Sequence, residues 1–242
     1  MTAPDSVSQA MSDQLAVFQH AANWKKTLVR HIGPHLGPDV LEVGAGIGGT
    51  TRFLCDGGQR RWLCLEPDPV MHAQLAERVA GGGLPACCEA RLGDVRSLEE
   101  GERFDAVLYV DVLEHILDDA GELRDAARLL KPGGRLVVLS PAYQFLYTSF
   151  DAVIGHHRRY TVSTLRRALP PGLETVKLHY LDSMGFFASL GNRLLLRQAM
   201  PDLKQILLWD GLLVRLSRFV DPLLRYRAGK TVLYVGRRPE GT

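Results

Sequence analysis

Along this chain, short runs of apolar residues alternate with longer stretches in which apolar positions recur every three or four residues. Phe18, Ala21, Trp24 and Leu28 carry the longer period and predict a helix over Ser12 to His31. Gly33 to Pro38, with two glycines and two prolines, closes it. A regular alternation follows. Val40–Val43 reads as a buried strand, followed by a glycine bend and a helix through Leu54. Trp62–Leu65 is a second strand, leading into a helix from Val70 to Val79, and Glu89–Leu92 is a weaker third. Phe104–Val110 is the fourth, with a helix running to Leu130. The tight turn Lys131–Gly134 then opens a fifth strand, Arg135–Ser140. Strands separated by helices imply a parallel sheet covered on both faces, because each right-handed crossover returns to the same edge.

Beyond Ser140 the rhythm changes. A helix is predicted over Thr161 to Leu169, and strands over Leu173 to Tyr180 and Lys230 to Arg237, the two strands pairing at one sheet edge. Residues 184–227 are too many for a structureless loop. Leu203, Ile206, Trp209, Leu213, Leu216, Val220 and Leu223 form a helical stripe there, expected to dock a helical cap or, equally, to bury itself in a second copy of the chain as a homodimer. The fold class expected is α/β, a Rossmann-like, mostly parallel sheet with a helical cap insertion. One domain is expected over 1–242: a helical segment (1–38), a ligand-binding core (39–182), the cap (183–228) and a last strand with its tail (229–242).

Composition narrows the class. The chain has 242 residues, 46% hydrophobic and 23% charged, enough to bury a core without disulfides or structural metal. Cys55, Cys64, Cys87 and Cys88 form no C-x-x-C pair, so no metal site is read from the sequence and the thiols are expected as small buried hydrophobes. No leader-like segment opens the chain and no apolar run reaches the roughly 20 residues a bilayer requires, so a cytoplasmic protein without a transmembrane segment is expected. Net charge is +2, yet between Arg193 and Arg238 ten Lys and Arg face only Asp202, Asp210 and Asp221. That basic end suits an anionic ligand, a membrane surface, nucleic acid or a solvated helix face.

The chemistry gathers at the strand tips. In Glu42-Val-Gly-Ala-Gly-Ile-Gly48, glycines let the backbone turn and approach a ligand that a Cβ would exclude. Gly44, Gly46 and Gly49 also satisfy the dinucleotide fingerprint, so the bend alone leaves an NAD-dependent oxidoreductase open. Three acids separate the readings. Glu66, ending the second strand and followed by Pro67, can accept both ribose hydroxyls. Asp94, ending the third, can accept from an adenine amino group, with Val95 against the ring. Glu42, two residues before the first glycine, repels a diphosphate but tolerates an ammonium and a sulfonium.

Glu42-Val-Gly-Ala-Gly, Glu66, Gly93-Asp94, Tyr109-Val-Asp-Val-Leu-Glu-His115 and Leu130-Lys-Pro-Gly-Gly134 together resemble the successive motifs of class I S-adenosylmethionine-dependent methyltransferases, over about residues 39 to 140. The resemblance implies seven strands with the last inserted antiparallel, and S-adenosyl-L-methionine as cofactor. It implies that Gly44, Ala45 and Gly46 approach the methionine portion, Glu66 the ribose, Asp94 the adenine, and that Asp111 lies beside the methionine end. Asp151-Ala-Val-Ile-Gly-His-His-Arg-Arg-Tyr160 resembles a Gly-His-x-Arg-Arg-Tyr element of a bacterial subgroup associated with small molecules, glycans and lipid-linked intermediates. The resemblance carries position rather than role for that element.

Methyl transfer from a sulfonium needs chiefly positioning, and a base only where the acceptor must lose a proton. His115, after the fourth strand, and His156 are the candidate bases. Tyr143, Tyr147, His157, Arg158 and Tyr160 are candidate acceptor contacts, the arginine as a clamp for an anionic group. Ordering of the loop or capping of a helix is the structural alternative for each. The expected partner is a small-molecule acceptor. Nucleic acid is not expected, because Asp111-Val-Leu-Glu114 stands where a flipped-base motif would follow the fourth strand. A non-catalytic S-adenosylmethionine-binding protein is the remaining alternative.

Overall fold

Residues 20–193 and 203–241 are described by the computed structural model. Phe18, the first residues of the expected N-terminal helix, and residues 194–202 of the expected cap lie outside the described residues.

Helix α1 (Ala22–Ile32) precedes β1 (Asp39–Val43), α2 (Thr51–Leu54), β2 (Arg61–Glu66), α3 (Pro69–Ala80), β3 (Cys88–Leu92) and β4 (Phe104–Val110). Then come α4 (Asp119–Arg128), β5 (Leu130–Pro141), α5 (Ser149–Val153), α6 (Val162–Ala168), β6 (Glu174–Leu181), α7 (Ser183–Gly191), α8 (Leu203–Leu208), α9 (Val214–Leu223) and β7 (Thr231–Arg237). The seven strands form one sheet in the order β3-β2-β1-β4-β5-β7-β6. Only β7 runs antiparallel, between β5 and β6. This is the expected Rossmann-like class, with the strand order reversing between β1 and β4, where open α/β sheets bind ligands.

Strand residues alternate between two cores. Val40, Trp62, Cys64, Ala106, Leu108, Val137 and Leu233 pack on the face that also buries Trp24, Leu28 and Ile32 of α1. Leu41, Leu63, Val107, Tyr109, Val138 and Val232 pack on the other, against Leu123 of α4 and Leu165 of α6. The two-residue period therefore yields buried strands at the sheet's centre, as covering on both faces requires, while the edge strands β3 and β6 are largely open.

Two expectations need correction, and the expected buried free thiols gain a detail. Lys131–Gly134 does not precede β5 but loops out within it, where the register with β4 jumps from Phe104↔Leu130 to Ala106↔Arg135. Gly133 takes a φ of 76° there and its N–H donates to the Arg238 carbonyl, so the tail holds the loop. Of the predicted stripe, Ile206 is buried and Trp209 packs on the core, but Leu203, Leu216 and Leu223 are exposed, Leu223 by 81%. The buried face is Ile206, Asp210, Val214, Ser217 and Asp221, one step around the helix. Asp210 accepts from the backbone N–H of Asn23 and of Trp24, capping α1, and Asp221 accepts from the N–H of Asp182 and Ser183, where α7 begins. Charges that read as interruptions of a stripe are the docking groups. Finally, the thiols are free, but Cys55, Cys87 and Cys88 cluster, with Cys55 Sγ 3.4 Å from Cys87 Sγ. Burial contributes to raising all three thiols above the ordinary range.

Among the described residues no helix is long and apolar enough to cross a membrane.

Candidate active site

The bend after β1 is built by its glycines. Gly44 and Gly46 take φ values of 65° and 56°, and a Cβ on Gly44 would stand 2.6 Å from Val112 Cγ2. Gly44 and Ala45 donate their N–H groups to the Leu65 carbonyl, pinning the bend to the tip of β2. Glu66 finishes the brace: one oxygen accepts from Gly46 N–H at 2.7 Å, the other from Asp68 N–H at 2.9 Å. Each oxygen keeps a lone pair for a further donor. Glu42 is buried and accepts from Thr51 Oγ1 at 2.7 Å and Trp62 Nε1 at 2.9 Å. Burial pushes both carboxyls above their ordinary range.

Along the same sheet edge, Glu42, Gly44, Ala45, Gly46, Glu66, Pro67, Asp94 and Asp111 all line one open cavity of about 1550 Å³. Val95 does not; it packs in the core beneath. Asp94 accepts from Arg96 N–H, closing a short turn that leaves its second oxygen available. Lys25 of α1 also lines the cavity, its Nζ donating to Thr50 Oγ1 at 2.6 Å. Burial lowers its pKa, and the charges of Asp111 and Glu42 oppose that shift.

The other end of the cavity holds an acid–histidine cluster. Asp111, with a φ of 56°, turns the chain out of β4 into a 3₁₀ turn, Leu113–His115. Glu114 is completely buried. Burial and the neighbouring Asp111 push its carboxyl up. His115 packs edge-on against His156, with ring centroids 4.6 Å apart. Burial, His156 and His157 push His115 down to about 4, so it is neutral but a feeble proton acceptor. His156 is better placed: Nδ1 lies 2.8 Å from Asp151 Oδ1, which leaves Nε2 facing Glu114 at 3.8 Å.

The Gly-His-x-Arg-Arg-Tyr element divides in two. Arg159 grips Asp151 through Nε and an Nη at 2.8 and 2.9 Å; the His156 hydrogen bond and this grip together hold that carboxyl well below the usual range despite its burial. Arg158 pairs with Asp119 at 2.7 Å and donates to the Leu117 carbonyl; Tyr160, 2% exposed, donates to the same aspartate. His157 donates its backbone N–H to the Glu114 carbonyl. Arg158, Tyr160 and His157 thus anchor the loop and do not line the cavity. Tyr143 stacks on Tyr180 outside it, whereas Tyr147 borders the cavity and donates to the His156 carbonyl at 2.6 Å.

Several lining groups escaped the sequence reading. Asp151 and Glu114 stood inside quoted motifs, with a signal available in their spacing from His156 and His115. Lys25 and Lys230 carried none, because distant segments bring them in; Lys230 lies 5.4 Å from the Trp209 ring centre.

Residues 41–138 match a family model described as a methyltransferase domain. The chain is similar to the demethylmenaquinone methyltransferase of Tropheryma whipplei, 32% identical over 130 residues, 50% of this chain and 49% of that protein. It is likewise similar to the ubiquinone biosynthesis O-methyltransferase of Xanthomonas axonopodis pv. citri, 35% identical over 149 residues, 60% of this chain and 56% of that one. The chain thus spans about half the length of the curated relatives it matches. Among solved structures, the Haemonchus contortus phosphoethanolamine N-methyltransferase 2, in complex with S-adenosyl-L-methionine, shares the fold with a TM-score of 0.62 at 20% identity, over 90% of this chain and 53% of that one.

Proposed function

We propose that this chain, which carries a methyltransferase domain over residues 41–138, is an S-adenosylmethionine-dependent methyltransferase acting on a small amphipathic molecule. One observation carries the reading: the glycine bend with its acids and the acid–histidine cluster open into the same cavity. At about 1550 Å³ it exceeds the roughly 300–1,000 Å³ of an ordinary single-ligand pocket, so two molecules fit side by side.

The residues fit the cofactor. Gly44 and Gly46 line the cavity with left-handed backbone, and Gly44 packs so closely on Val112 that a side chain there would displace the bend. Glu66 and Asp94 supply acceptors at the tips of β2 and β3 for ribose hydroxyls and an adenine amino group. Lys25 offers a cation to a carboxylate, and Asp111 an anion to an ammonium. When bound, S-adenosylmethionine supplies an activated methyl group on a sulfonium. No diphosphate is expected beside Glu42, which argues against a dinucleotide.

The protein's own task is to hold the acceptor and manage its proton. Ile116, Leu146, Phe150, Ile154 and Trp209 give the acceptor end an apolar wall that excludes water. His156, oriented by Asp151, is the group suited to a proton there. The relatives named for quinone pathways support an acceptor with a flat hydroxylated ring. Incubation with methyl-labelled S-adenosylmethionine and a panel of catechols and quinols tests the reading: label should pass to an extractable small molecule. Cofactor binding without transfer to any acceptor contradicts it and favours a non-catalytic binding protein.

A further inference from the structure

The acceptor end contains a group of donors that methyl transfer alone does not explain. One ligand atom each from Glu114, His115 and His156 lies within 4.8 Å of the others. Glu114 is fully buried, and among the described residues neither of its carboxyl oxygens has a hydrogen-bond partner of good geometry, the neighbouring Ser140 hydroxyl included. A buried carboxyl without a partner keeps its proton, as the raised Glu114 does, and gives it up when a cation arrives to balance the charge. His156 Nε2 stands 3.8 Å from Glu114 Oε1. Two atoms each about 2.1 Å from one ion lie about 3 to 4.2 Å apart over the usual range of angles, so this pair already spans an ion. Asp151 fixes the opposite nitrogen of His156 at 2.8 Å, the second partner that a metal-binding imidazole ordinarily has.

We propose that Glu114, His115 and His156 bind one divalent cation. Two imidazole nitrogens and one carboxylate oxygen favour Mn²⁺, Fe²⁺, Co²⁺ or Zn²⁺ over Mg²⁺ or Ca²⁺. The ion's remaining positions face the cavity, beside Asp111. Arg159, the nearby cation, is held by two bonds to Asp151 and so opposes the ion little. Lys230 also borders the cavity, on the side of Trp209. The consequence for specificity rests on the methyltransferase reading. With the ion bound, His156 is a ligand through Nε2 and the ion takes over its proton-handling role: a hydroxyl placed on the ion releases its proton to solvent far more readily than in water, so the site selects acceptors with an O–H group, best a vicinal pair that chelates.

The test is a Co²⁺ titration of chelator-stripped protein, followed by visible absorption and calorimetry, with S-adenosylmethionine affinity measured on every variant. One equivalent of Co²⁺ should bind with the ligand-field bands of a nitrogen–oxygen site. Glu114→Gln should lose that binding, and Asp151→Asn should weaken it by about 10–100-fold, with cofactor affinity kept. Should Glu114→Gln not fold, His156→Asn provides the same comparison. No saturable Co²⁺ binding in a protein that binds the cofactor overturns the proposal. So does Co²⁺ binding that survives in Glu114→Gln with thiolate charge-transfer bands, which would place the ion on Cys55, Cys87 and Cys88. Co²⁺ binding without cofactor binding sustains the ion site and defeats the methyltransferase reading instead.

Discussion

Asp151 Oδ1 lies 2.8 Å from His156 Nδ1, and the same carboxylate is clasped by Arg159, so the imidazole is oriented by a group that stays ionised. His156→Ala should lower turnover by about 10²- to 10⁴-fold, the range for a positioned proton-transfer group. Cofactor affinity should stay within twofold, because the ring stands at the acceptor end. Equal activity in single-turnover assays would reduce His156 to a loop residue.

Gly44 offers a steric test of the bend. A methyl group there would stand 2.6 and 2.9 Å from the two Val112 methyls, at a φ of 65°. Gly44→Ala should cost about 1–3 kcal/mol of stability and most of the cofactor affinity. Val112→Ala in the same chain should restore part of the stability but not the part owed to the left-handed backbone. Denaturant melts of the single and double variants check both.

Asp210 ties the cap to α1 across 187 residues of sequence, accepting from Asn23 N–H and Nδ2 and from Trp24 N–H. Asp210→Ala should destabilise the protein by about 1–3 kcal/mol, since it leaves buried donors without a partner. Trp24 and Trp209 lie 5.8 Å apart, so their fluorescence should change with the same variant. An unaltered emission spectrum and melt would mean that the cap docks by other contacts.

Acid sensitivity follows from a pair of half-buried histidines. Burial drives both His31 and His179 down to about 4, and the two rings pack together with Tyr226. The folded values lie below the unfolded value of about 6.5, so the unfolded chain binds more protons in between. Their contribution is complete above pH 6.5 and fades as pH falls toward 4. The slope is at most about 1.4 kcal/mol per pH unit for each proton, less after solvent screening. His179→Phe should flatten the fall in melting temperature between pH 6.5 and 4.5; an unchanged slope would locate the acid sensitivity elsewhere.

These relationships differ in how far the sequence shows them. Strands such as Val40–Val43 and Phe104–Val110 are legible because both sheet faces are covered and every position must be apolar or paired. The glycine bend and the tip acids are legible because only certain residues suit those backbone turns. The cap is not. Its docking face runs through Asp210, Ser217 and Asp221, and a polar residue that binds backbone N–H groups looks, in sequence, like a solvated one. The acceptor cluster was half legible: His115 and His156 stand out as titratable groups, whereas Glu114 and Asp151 acquire meaning only when a loop folds over the end of β4. Arg158 and Tyr160 misled for the converse reason, since a residue able to clamp a ligand equally well clamps Asp119.

Calorimetric titration of the purified protein with S-adenosylmethionine, alongside NAD⁺ and the Glu66→Ala variant, tests the central claim most directly. Saturable one-to-one binding of S-adenosylmethionine, no binding of NAD⁺ and loss of the signal in folded Glu66→Ala are the results predicted. Binding of NAD⁺ in its place, or an affinity untouched by Glu66→Ala, would contradict the account.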